Sequence, residues 1–200
     1  MLFITVLIGF AFAEFAGYFI HKLLHSDKIH FLSRSHMIHH LVIYGPKMKQ
    51  RPHEHYLNSA QGRFAIGNVG LEWTLPIGVM VAILFGLFAL FHVPVLYAAV
   101  FIGSAAVWSI SMFSYVHDLL HVKNCWLTKI KFFNNQFDYA KKLHDIHHME
   151  LTDEGHMAKN FGICFFIFDR FFGTLKPTTS SFNKKGFEAA SKRYAFIHQK

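Results

Sequence analysis

The chain alternates between long stretches almost free of charge and shorter stretches dense in polar residues. From Met1 to Ile20 the only charged side chain is Glu14. A helix of that length, rising ~1.5 Å per residue, spans the roughly 30 Å hydrocarbon core of a bilayer. Thr74 to Val116 carries no formal charge, enough for two crossings, with the turn signal His92-Val93-Pro94 in the middle. The pattern predicts three membrane helices, at Met1–Ile20, Trp73–Phe91 and Pro94–Val116. A buried soluble core is the alternative, but uninterrupted apolar runs of this length are rare there. The first run lacks the basic start and small-residue cleavage site of a signal peptide, so a spanning helix is the expectation. Trp126–Phe137 contains Lys129 and Lys131, and Phe161–Leu175 contains Asp169 and Arg170. Both read as interfacial segments rather than crossings.

The fold class expected is therefore all-α: a polytopic membrane protein with about three transmembrane helices plus cytoplasmic and interfacial helices. Residues 1–200 form one domain, with a motif-bearing region at 14–175 and a C-terminal tail at 176–200. Hydrophobic residues make up 52% of the chain and charged ones 16%, which excludes a disordered tail protein. The formal charge of +8 could suggest nucleic acid, but no basic repeat or recognition motif accompanies it. Every Lys and Arg falls within residues 22–70 or 117–200. Cationic loops stay on the cytoplasmic side, so the N-terminus and the His92 turn should face out and both cationic segments in. A bacterial inner membrane and the endoplasmic reticulum fit equally. Cys125 and Cys164 match no zinc-ribbon or CxxC pattern and cannot frame a disulfide network, so any metal must rest on histidine.

Histidine is the most informative residue, with 16 copies against 12 acidic residues. Ten of them form four clusters: His21-Lys-Leu-Leu-His25, His36-Met-Ile-His39-His40, His117-Asp-Leu-Leu-His121 and His144-Asp-Ile-His147-His148. On a helix, positions i, i+3 and i+4 share a face, so each cluster aims its imidazoles into one volume. Two clusters continue directly from apolar runs, and all four lie on the cationic side. Ten nitrogen donors are too many for one ion but suit two neighbouring ions of five or six coordination each. Four clusters in alternating HxxxH and HxxHH order argue against accidental spacing.

These clusters, followed by Asn160-Phe161-Gly162 and Phe168-Asp169-Arg170-Phe171-Phe172-Gly173-Thr174, resemble the fatty acid hydroxylase and sterol desaturase superfamily of integral membrane di-iron proteins. The resemblance covers roughly residues 14–175. It implies two Fe ions, O2 as co-substrate and attack on a C–H bond of a fatty acyl, sterol or carotenoid-type lipid, with zinc able to replace iron in purified protein. Bottom-up chemistry agrees, since iron on neutral imidazoles can reduce oxygen and a site at the bilayer edge meets lipid chains. Desaturation on the same scaffold is the nearest alternative. A histidine-rich membrane metal carrier is less favoured, because transport wants ligands spread across the bilayer depth. Dihaem electron transfer is a further reading, and it needs histidine pairs facing each other within a bundle. Zinc hydrolysis lacks an HExxH and a placed general base.

Several other residues are candidates for supporting roles. Glu14 lies on the helical face of His21 and His25 and could hold a ligand imidazole by its other N–H, or pair with another helix. Asp118 and Asp145 follow ligand histidines but point ~100° away from them, so they would serve ligands elsewhere or remain solvated. His156 and Asn160 are candidates to complete the metal shell or place a water. His30, His53, His55, His92 and His198 lack paired spacing and receive no site role. Counting back from His117 along one helical face gives Phe113, Ile110, Ala106 and Gly103, a stripe that could line a lipid slot with a deep end at Ala106 and Gly103. The alternative is close helix packing. With neither an Fe–S cysteine set nor a nucleotide fingerprint, electrons must come from a separate protein. A cationic surface suits an acidic ferredoxin or cytochrome b5 type donor with its reductase.

Overall fold

A computed structural model describes residues 1–52 and 71–199, without the side chains of 71–74. His53 and His55 lie outside the described residues. Among the described residues the structure is helical, with two isolated β-bridges, Arg51 to Val122 and Leu151 to Met157. The helices are α1 (Leu2–Leu24), α2 (His30–Ile38), α3 (Leu71–Leu90), α4 (Val95–Ser109), α5 (His117–Leu120), α6 (Asn134–His147), α7 (Ile167–Phe171) and α8 (Lys184–Arg193). Two π-helical segments interrupt this order: His39–Ile43 continues α2, and Ile110–Val116 joins α4 to α5 without a break.

Among the described residues two helices are long and apolar enough to cross a membrane: α1, and the continuous rod Val95–Leu120. Within α3 the apolar stretch that qualifies is the shorter Leu75–Leu90, so a third crossing rests on the sequence pattern alone. The expected turn is present. His92 takes φ 52° and Pro94 caps α4, where its fixed φ and missing N–H cost nothing.

α1 and α4 form the central pair. Gly9 and Gly17 let them approach closely: a Cβ on Gly9 would overlap the Ser104 hydroxyl, and one on Gly17 would overlap the Phe113 ring. Small residues at such crossings bring backbones together, which is what packing within lipid requires. Phe10 stacks on Trp108 at 4.5 Å and Phe12 meets Phe101 at 5.3 Å. The face of α4 turned to α1 thus carries Phe101, Ser104 and Trp108.

The stripe counted back from His117 lies off that face. Gly103, Ala106 and Ile110 are exposed, and a Cβ on Gly103 would meet nothing within 4 Å. Counting in steps of 3.6 residues assumes a regular α-helix. The π-helix at Ile110–Val116 holds more residues per turn, so the face leading down to His117 is not the one that counting selects. Only Phe113 of the four points inward, and it packs on Gly17.

Outside the apolar rods, α6 is amphipathic and buries Phe137, Ala140, Leu143, His144, Ile146 and His147. Phe137, Ala140, Leu143 and Ile146 join Leu120, Val122, Cys125, Ile163 and Phe166 in one core cluster. A second cluster contains Met37, Leu151, Met157, Ala190, Tyr194, Phe196 and Ile197. The segment read as a tail is therefore part of the fold. Its apolar positions recur at helical spacing from Phe187 through Ala190 to Tyr194, beneath a lysine-rich outer face. Asn183 caps α8 by accepting a hydrogen bond from the Gly186 N–H at 2.9 Å, Arg193 pairs with Asp27, and the Tyr194 hydroxyl donates to the His25 carbonyl at 2.7 Å.

Candidate metal centre

The four histidine clusters converge. Nine of the ten imidazoles form two groups, His21, His25, His36, His40 and His147 in one and His39, His121, His144 and His148 in the other. Within each group the candidate ligand atoms all lie within 4.8 Å of one another. The tenth, His117, borders the second group, its ring 5.0 Å from His39 and 4.8 Å from His144.

The groups are interlaced. In each HxxHH cluster the first and last histidines join one group and the middle one crosses to the other: His36 and His40 against His39, and His144 and His148 against His147. Residues i and i+4 lie nearly above one another on a helix, whereas i+3 points ~100° away from i+4. An HxxHH helix wedged between two positions therefore gives two donors to one and a single donor to the other. The expectation that each cluster aims into one volume holds for His21 and His25 and is corrected for the HxxHH pairs.

The contacts among ring nitrogens cannot all be hydrogen bonds. The His25 Nε2 lies 3.1 Å from the Nε2 atoms of both His147 and His36, and the His36 Nε2 is also 3.1 Å from that of His40. In the second group His121 stands 3.1 Å from His39 and 3.0 Å from His144, which is 3.2 Å from His148. A neutral imidazole nitrogen is either one donor or one acceptor, so these chains stay unsatisfied as hydrogen bonds. Nitrogens held ~2.1 Å from one cation at about right angles would stand ~3.0 Å apart. Among the described residues the buried Nε2 atoms of His21 and His117 also lack a hydrogen-bond partner. Both observations fit a metal ion in each group.

The outer nitrogens settle the tautomers. The Nδ1–H of His21 donates to the Phe161 carbonyl and that of His147 to the Lys159 carbonyl, each at 2.6 Å. The Nδ1–H of His121 donates to the Lys49 carbonyl and that of His148 to the Tyr44 carbonyl, each at 2.9 Å. Each bond places the proton on Nδ1 and leaves the Nε2 lone pair aimed inward, as a ligand histidine requires. One backbone strap, residues 159–161, holds two histidines of the first group; another, residues 44–49, holds two of the second. Tyr44 also lays its ring on His121, 4.0 Å between centroids and 12° from parallel, with the Arg51 guanidinium 5.2 Å over it.

Burial keeps these imidazoles neutral. It pushes His25, His36, His39, His40, His121, His144 and His148 well below the ordinary histidine value, mostly reinforced by neighbouring imidazoles. His147 is lowered to about 4, again by burial, with the Lys159 carbonyl partly opposing. Neutral imidazole is the form that binds metal.

The supporting candidates sort differently. Glu14 is buried and accepts a 2.7 Å hydrogen bond from the Trp108 indole, pairing with another helix rather than with a histidine. Asp118 lies 3.7 Å from the Nδ1 of its own neighbour His117, beyond hydrogen-bond distance. Asp145 accepts from the Gln50 amide at 2.8 Å and so braces the strap at 44–49. His156 stands in neither group; its backbone closes a turn with Thr152. Asn160 is no free donor: its Nδ2 donates to the Leu143 and Lys176 carbonyls at 3.0 and 2.9 Å, and its Oδ1 accepts from the Lys176 N–H at 2.7 Å.

A family model described as Fatty acid hydroxylase matches residues 6–174. The chain belongs to the fatty acid hydroxylase family. No curated protein and no solved structure matches it. The match reaches from early α1 to just past α7, so it takes in both histidine groups and both straps. The family points to an oxidoreductase, and the two histidine groups are able to bind metal ions. The sequence pattern marks Phe161 only as part of the Asn160-Phe161-Gly162 motif and does not mark Tyr44, Lys49 or Lys159, because all four act through backbone carbonyls that every residue possesses. Asp169 does carry a signal, as the acid of the Phe168–Thr174 motif, but the motif by itself assigns it no contact.

Proposed function

We propose that this fatty acid hydroxylase family member is a di-iron, O2-dependent lipid hydroxylase. The reaction is R–H + O2 + 2 electrons + 2 protons → R–OH + H2O, with R–H an unactivated carbon of a fatty acyl, sterol or carotenoid-type chain. The observation that carries the reading is the pair of interlaced, all-nitrogen histidine groups at the ends of membrane-length helices. Imidazole suits iron among the metals that reduce oxygen, and the groups contain no carboxylate that would favour magnesium or calcium. When bound, an iron pair supplies the redox chemistry that activates oxygen.

The chain's own residues hold that pair. His21, His25, His36, His40 and His147 would ligate one ion, and His39, His121, His144 and His148 the other, with His117 beside it. The carbonyls of Phe161, Lys159, Lys49 and Tyr44 keep each clamped imidazole in its metal-binding tautomer, and burial excludes protons that would compete. The cationic segments face the cytoplasm, the N-terminus and the His92 turn face out, and α3 is a third crossing. Electrons arrive from an acidic ferredoxin or cytochrome b5 type protein. Desaturation shares the first hydrogen removal and differs in releasing two waters rather than an alcohol.

Lipid mass spectrometry of cells expressing the chain or its His147→Ala variant, beside iron analysis of the purified proteins, tests the reading. A new species heavier by one oxygen, made only by iron-loaded wild type, supports hydroxylation. A species lighter by two hydrogens makes the protein a desaturase, and no lipid change at full iron content overturns both. Cysteine labelling at residues 2 and 93 from outside, and at 135 and 190 from inside, checks the topology.

A further inference from the structure

The strap that clamps His21 and His147 is itself held by one buried carboxylate. Asp169, fully buried in α7, accepts from the Phe161 N–H at 2.7 Å on Oδ1 and from the Gly162 N–H at 2.6 Å on Oδ2. The Thr174 hydroxyl donates to the same Oδ1 at 2.7 Å and lies 3.1 Å from the Tyr18 hydroxyl. The main-chain carbonyl of Asp169 accepts from the Thr174 and Leu175 N–H groups at 2.8 and 3.0 Å. Three short bonds to one carboxylate fix the peptide planes on either side of Phe161, and the Phe161 carbonyl is the acceptor for His21.

The local backbone fits only this arrangement. A Cβ on Gly162 would stand 2.8 Å from the Asp169 Oδ2 and 2.9 Å from the Phe166 Cα, so glycine is required for the approach. Asn160 within the strap and Phe166 beyond it take the left-handed conformation, φ 57° and 51°, which costs energy for a bulky residue such as Phe and persists only where surrounding contacts over-determine it. None of these bonds reaches the other strap, which Gln50 and Asp145 brace separately.

We infer that Asp169 is a positioning residue for the five-histidine group alone, setting the affinity of that metal position through the Phe161 carbonyl that orients His21. The role rests on the metal-binding reading proposed above. It makes the two positions separately adjustable, each through its own strap. Removing a partner that orients a ligand typically weakens metal affinity ~10–100-fold, and here the loss falls on one position.

The test is a cobalt(II) titration of the metal-stripped full chain in detergent micelles, read by visible absorption and by cobalt per chain after desalting. Wild type takes up two ions. Asp169→Asn puts an amide N–H where a carboxylate oxygen accepted, and one of its two positions should weaken ~10–100-fold. Its remaining spectrum should match that of His36→Ala, which lacks a first-group ligand, and not that of His144→Ala. Thr174→Val removes one donor at nearly constant volume and should weaken the same position less; it carries the test if Asp169→Asn gives no folded protein. Equal weakening of both positions, a spectrum matching His144→Ala, or titration as in wild type overturns the role of Asp169. If wild type itself binds no cobalt, the metal reading fails and the role falls with it.

Discussion

His40 and His148 stack with ring centroids 4.0 Å apart and planes 26° from parallel, although they belong to different histidine groups. Each ends its HxxHH cluster, so this contact is the seam between the two candidate metal positions. Most other close imidazole contacts lie within a group, and a change at the seam is shared by both positions.

Substitutions should therefore separate by group. His36→Ala and His144→Ala each leave about one metal ion per chain after desalting, from opposite positions, whereas His40→Ala lowers occupancy at both. Inductively coupled plasma mass spectrometry on purified protein measures this. Loss of both ions from either of the first two variants would mean one cooperative site rather than two.

Metal-free protein should lose stability in acid. The imidazoles are depressed in the folded chain, to about 4 for His147, while an unfolded histidine titrates near ~6.5. Between those values the unfolded chain binds protons that the folded chain does not, so stability falls as pH falls. It is fully present above about pH 6.5 and is lost toward pH 4, with a slope of up to about 1.4 kcal/mol per pH unit for each such histidine. Melting temperatures of the stripped protein between pH 8 and pH 5 should drop accordingly. A flat profile would show that the imidazoles are not buried neutral.

Glycines on facing rods should respond oppositely. Gly17→Leu drives a side chain into the Phe113 ring and should cost about 1–3 kcal/mol by overpacking, seen as reduced folded yield and melting temperature. Gly103→Leu projects into open space and should change stability by no more than about 0.5 kcal/mol. Any lipid product should keep its chain-length profile in Gly103→Leu. A shortened profile at full metal content would instead mark that face as a lipid slot.

Asn160→Ala removes three hydrogen bonds and leaves alanine in left-handed conformation. Unsatisfied buried carbonyls and the conformational cost together should destabilise the chain by about 3 kcal/mol. If Asn160 instead ligated metal or placed its water, metal content would fall with little change in melting temperature. Calorimetry beside metal analysis distinguishes the two.

What the sequence determined is whatever depends on local spacing. Apolar runs longer than a soluble core needs set α1 and the Val95–Leu120 rod, His92-Val93-Pro94 set the turn, and the HxxxH and HxxHH clusters marked all nine grouped histidines and His117 beside them, because helical geometry alone fixes which side chains share a face. The tertiary structure decided what depends on contacts distant in sequence or on departures from the 3.6 period. The π-helix at Ile110–Val116 rotated Gly103 and Ala106 outward, which no count along a regular helix could register. Each HxxHH cluster was divided between two groups only when its helix lay between them. Residues 176–199 join the fold through contacts such as that of Tyr194 with the His25 carbonyl. The straps at 44–49 and 159–161 hold histidines through main-chain carbonyls, and a carbonyl is common to every residue, so its role emerges only from where the folded chain carries it.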